Sequence, residues 1–146
     1  MIGSWLRLLE HLHGHIACLA TIALFHPVAL LRNPNRRIFF AAATATLSVT
    51  FVAALGLVLY PSYRAQLKPA IFVASRALGL AFERKEHLAM AVVVLAWVGL
   101  FAHVAETKRP SGVGSFGLAR FAYSASAALA LLTAGLGISV AVGHTF

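Results

Sequence analysis

Histidine is the residue type through which this chain could do chemistry. Seven are spread over 146 residues. His11, His13 and His15 crowd together, His26 follows, and His87, His103 and His144 stand far along the chain. An imidazole takes up and releases a proton near neutral pH, and its neutral form binds haem iron and transition metals. Helical spacing sorts them. His11 and His15 are four residues apart, Cys18 follows seven after His11, and His26 eleven after His15. At about 100° per residue all four share one helix face. His13 is expected to point elsewhere, to solvent or headgroups, and His144 to be solvated. A second cluster runs Glu83-Arg84-Lys85-Glu86-His87. Glu83 and His87 are four apart, and Glu86 is one turn from Glu83. A carboxylate and an imidazole can therefore be aimed together, with Arg84 and Lys85 off that face, reaching for the interface.

The elements that must position these groups are set by composition. Of the residues, 60% are hydrophobic and 11% charged, with mean hydropathy +0.85. Soluble domains carry about 25% charge, so lipid is the expected solvent for most of this surface. Four apolar spans are predicted: Leu12 to Leu31, Ile38 to Tyr60, Leu88 to Ala105 and Phe121 to Val142. Each is near the ~20 residues that cross a bilayer. The expected fold is all-α, a polytopic membrane four-helix up-down bundle in a single transmembrane domain, 1–146. Ala41, Ala45 and Ala53 in the second span suit close packing, as do Ser124, Ala127, Ala130, Ala134 and Gly135 in the fourth. Pro61 and Pro69 break the helical pattern of the middle connection. The apolar segment from Ile71 to Phe82 is too short to cross and is expected to form an interfacial helix between the second and third spans. After a single Arg7, Glu10 and three histidines fall where a signal peptide would need an uninterrupted apolar core, so the first span is read as a retained helix.

Charge points to lipid and away from nucleic acid. The net charge is +8, but the basic residues lie in short segments between spans, where anionic headgroups account for them. The positive-inside comparison is six Lys or Arg against six. The denser short loops favour termini on the non-cytoplasmic side, and a bacterial inner membrane is the expected location. One cysteine, Cys18, excludes an internal disulfide; it is expected to be a small buried hydrophobe. No phosphate-binding loop, dinucleotide fingerprint or nucleophile elbow occurs, so no catalytic residue is assigned.

An up-down bundle collects His11, His13, His15, His87 and His144 with Glu10, Glu83 and Glu86 at one end. Three readings follow. In the first, haem b is held between the first and third helices by His15 or His11 and by His87, with Arg7, Arg84 or Lys85 meeting the propionates. His26 and His103 form a thinner pair at the opposite end. His87 and His103 are sixteen residues apart, roughly 160° on an ideal helix, which argues against two stacked haems. In helix number and histidine placement the chain resembles the small membrane-anchor cytochromes of respiratory complexes. That resemblance implies electron transfer between a partner subunit and quinone, with Glu83 and Glu86 as candidates for taking quinone protons. In the second reading His11, His15, Glu83 and His87 bind a transition metal; the Glu-x-x-His pattern of di-iron bundles is absent. In the third the chain is a non-catalytic accessory subunit. All three place it in a lipid bilayer, and the first and third beside larger membrane-complex subunits.

Overall fold

The structure, a computed structural model, describes residues 4–32, 37–108 and 117–143. The side chain of Arg7 and all of His144 lie outside the described residues. The chain forms α1 (Ser4–Leu30), α2 (Ile38–Ser62), a π-helical turn (Tyr63–Leu67), α3 (Lys68–Ala74), α4 (Arg76–Thr107) and α5 (Gly117–Gly143). Four of these helices, α1, α2, α4 and α5, are long and apolar enough to cross a membrane. They form the expected all-α bundle.

The bundle is a ring. α1 packs on α2 and α5, and α4 packs on α5 and α2, so α1 and α4 occupy opposite corners. The core between them is built from small residues that let backbones approach: Ala20 with Leu24, Ala42 and Ala45, Ala96, and Ala127 and Ala130. Gly99 makes room for Tyr123, since a Cβ there would meet the ring at 2.8 Å. Outside, Ile22, Phe40, Phe51, Val94 and Phe121 are among many large apolar side chains left exposed. At most 33% of any spanning window is buried inside the protein. An apolar surface of that extent needs acyl chains, not water, as its solvent.

Two details differ from the sequence reading. In α5 the inward stripe is Tyr123, Ser126, Ala127 and Ala130, while Ser124 and Gly135 face outward. Tyr123 sets that phase by filling the gap above Gly99. The middle connection is helical almost throughout. Pro61 falls in the last turn of α2, where its missing N–H and its ring disturb the hydrogen-bond ladder. A π turn follows, in which the Lys68 N–H donates to the Tyr63 carbonyl; it contains Ala65, four residues before Pro69, whose carbonyl a regular helix would press against the Pro69 ring. Pro69 then sits in the first turn of α3, where no N–H is needed.

The break comes later, at Ser75, whose backbone is extended (φ −160°, ψ 119°). Its N–H still closes α3 on the Ile71 carbonyl, while its hydroxyl accepts from the Leu78 N–H at 3.4 Å and caps α4. α3 packs back on α4 because Gly79 carries no side chain: a Cβ there would meet Phe72 at 2.5 Å. Ile71, Phe82 and Val140 bury one another at this elbow. The expected interfacial helix is thus divided between α3 and the first turns of α4. α4 begins at Arg76, well before the span predicted at Leu88.

Candidate functional site

The outer face of α1 carries the residues that share a helical face by spacing. His11, His15, Cys18 and His26 are all exposed. Cys18, expected to be buried, is outward because the core side of this helix is taken by Ala17, Ala20, Thr21 and Leu24. Leu8, His11, Leu12 and His15 line a shallow open groove. His15 Nδ1 lies 2.9 Å from the His11 carbonyl oxygen. A carbonyl only accepts, so Nδ1 carries the hydrogen and the neutral ring has its lone pair on Nε2. His87 on α4 is exposed and repeats the arrangement, with Nδ1 donating to the Glu83 carbonyl at 2.8 Å. Both rings are held by their own helix through Nδ1, with Nε2 left over.

Those rings do not converge within the chain. They stand on outward faces of two helices at opposite corners of the ring. The other candidates are also dispersed. His26 is exposed on α1, whereas His103 is buried on α4 with Glu106 one turn further on. Glu83 is held by Lys68 in a salt bridge of 2.8 Å. Glu86 is half-buried and Arg84 exposed. Among the described residues, no three His, Cys, Asp or Glu side chains are grouped to hold one metal ion. His11, His15, Glu83 and His87 are accordingly not assembled as a ligand set by this chain alone.

What the bundle does gather is a different cluster. His13, expected to face solvent, turns inward between α1 and α2. It lies over Gly56, where a Cβ would come within 3.3 Å of the imidazole. It approaches the main chain at Val52, and its Nδ1 is buried without a hydrogen-bond partner. Close by, the Glu10 carboxylate interacts with the Tyr63 hydroxyl of the π turn. Lys85, expected off the Glu83–His87 face beside Arg84, runs its stem over Gly137 of α5, 3.6 Å from where a Cβ would stand. Its ammonium sits 4.9 Å from the centre of the Phe82 ring, a cation–π contact, and near enough to His13 for their charges to interact. One signal for His13 was present in the sequence: it is two residues from His11 and from His15, so if they face out it must face in. The glycines opposite, Gly56 and Gly137, give no such signal, because nothing local says what a glycine on another helix makes room for.

Deeper in the bundle the polar groups hold helices together. The Thr46 hydroxyl donates to the Ala96 carbonyl at 3.2 Å and lies 2.9 Å from the Tyr123 hydroxyl. Tyr123 reaches the Ala42 carbonyl at 3.1 Å, and Ser126 donates to the Val92 carbonyl at 2.8 Å. The Trp97 indole N–H donates to Thr50 at 3.2 Å. These bonds tie α2, α4 and α5 at mid-bundle and use the hydroxyls structurally. Compared with known protein families, curated proteins and solved structures, the chain matches none.

Proposed function

We propose that this chain is a small integral-membrane anchor subunit that packs, through the outer face of α1, against a partner subunit within the bilayer. One observation carries the reading: His11, His15, Cys18 and His26 are exposed along a span that lipid would otherwise surround. His15 lies seven residues inside the apolar stretch that starts at Leu8, about 10 Å of rise. An imidazole at that depth loses water and finds no donor or acceptor among acyl chains, a cost that polar groups of a partner helix remove.

An electron-transfer form of the same reading is favoured by a separate observation. The Nδ1–H bonds of His15 and His87 leave Nε2 exposed, the ring state an axial ligand of haem b needs. Because the two rings stand on opposite corners, the haem would be shared with the partner, each imidazole being paired with a ligand from outside this chain. Arg84, exposed beside His87, suits a propionate. Quinone would then meet the complex at the same interface, with Glu86 the more available proton acceptor, since Glu83 is engaged by Lys68.

The test is to purify the chain with its native partners in mild detergent. A photoactivatable cross-linker is placed on Cys18, the sole cysteine, and the reduced-minus-oxidised visible spectrum is recorded. Cross-linking of Cys18 into one stoichiometric subunit supports the anchor. A sharp α band that His15→Ala abolishes adds the haem. A lone monodisperse chain that cross-links only to lipid sinks both.

A further inference from the structure

The outward faces of α1 and α4 carry polar groups at matching depth. Depth is counted from the bond between the Thr46 hydroxyl of α2 and the Ala96 carbonyl of α4. These two helices run in opposite directions, so Gly56 and Glu86, each ten residues from that bond, share a level. It lies about 15 Å toward the end where α1 begins. The His13 ring lies over Gly56, which puts His13 of α1 level with Glu86 of α4. From there α1 and α4 run the same way. His11 is therefore level with Arg84, and His15 and His87 differ by one residue, about 1.5 Å of rise. All four are exposed. The outward stripes stay in step further in, where Cys18 is matched by Met90 and Ile22 by Val94.

At the same level the other two corners of the ring are apolar. Leu57 and Val58 of α2 are 65% and 62% exposed, and Ile138 of α5, beside Gly137 under the Lys85 stem, is 61% exposed. Those side chains suit acyl chains, yet α1 and α4 turn imidazoles and a guanidinium outward beside them. Hydrogen-bonding groups at that depth need partners. Each face offers what the other lacks. Arg84 only donates. His15 and His87, whose Nδ1 atoms carry the hydrogen, accept at Nε2. The His11 ring carries at least one N–H to donate. Standing at opposite corners, the two faces cannot meet within one chain. We propose that the partner of the anchor reading, on which this inference rests, is a second copy of the chain. The α4 face of one copy packs on the α1 face of the next, with Arg84 donating to His15 and His11 to His87. The contact is heterologous, so copies add in a row or close into a ring.

The test uses the full chain in its native membrane. Cys18 stays in place, Met90→Cys adds a thiol to the α4 stripe, and a short bismaleimide joins thiols that lie together. Denaturing gels are expected to show a ladder of two, three and more copies, joined from Cys18 to the introduced cysteine. An unchanged melting temperature confirms that the variant folds. Adding Arg84→Gln should lower the yield about tenfold. Phe101→Cys, exposed on the same helix but eleven residues deeper, about 16 Å, should give no ladder. Equal ladders from Met90→Cys and Phe101→Cys would mark random encounters and overturn the contact. Dimers of the parent chain through Cys18 alone would overturn it in favour of a symmetric α1 interface. A photoactivatable probe on Cys18 that captures a different protein, with no ladder from Met90→Cys, would overturn the second copy and leave the anchor reading standing. Capture of lipid alone would remove both.

Discussion

His15 owes its orientation to the carbonyl one turn before it and nothing to the rest of the bundle. Its replacement by alanine should therefore leave the fold alone, with stability changed by less than about 0.5 kcal/mol, while association with the proposed partner subunit should weaken. Thermal unfolding of the isolated chain and co-purification of the complex measure the two separately. The interior behaves in the opposite way. Tyr123 is fully buried and pinned at its hydroxyl, so it cannot yield to a new methyl group on Gly99. Gly99→Ala should cost about 1–3 kcal/mol through overpacking, outweighing the higher helix propensity of alanine. Thr46→Val keeps the shape but removes a hydroxyl shared between three helices, with an expected loss of about 1 kcal/mol. Denaturant titration in micelles checks both.

At the scale of elements, the elbow at Ser75 is the most breakable joint. Ser75→Ala removes the cap on α4 and should cost about 1 kcal/mol. The loss should be local: hydrogen exchange in α3 should quicken while α5 is unchanged. The four spans were legible because a run of apolar residues of bilayer length has few other uses. The connection between the second and third spans was less so. Pro61 and Pro69 read as breaks, but a proline in the last turn of one helix and another in the first turn of the next interrupt little. The true break is at a serine that only backbone geometry distinguishes. Likewise the common face of His11, His15, Cys18 and His26 followed from spacing alone. Which way that face turns depended on packing against helices far along the chain, and so did the inward swing of His13 and Lys85.

For the whole molecule, the ring order makes the two hairpins α1–α2 and α4–α5 into neighbours side by side, with their outer faces apolar. Cys18 reports on what covers one of those faces. In the isolated chain a membrane-soluble maleimide should label it readily, since the residue is exposed. A partner packed on α1 as proposed should shield it in the native membrane, and labelling followed by mass spectrometry gives the ratio. Equal labelling in both states would leave α1 facing lipid.

The π turn between α2 and α3 makes chain length in that stretch a matter of angular phase. It accommodates a bond across five residues, from Lys68 to Tyr63, where an α-helix would span four. Deleting any one residue from Tyr63–Leu67 would let the ladder close as a regular helix and turn everything after it by about 100°. Lys68 would swing away from Glu83, and Ile71 from Phe82. The connection is thus indexed like a gear tooth: its residues can be exchanged, but their number cannot.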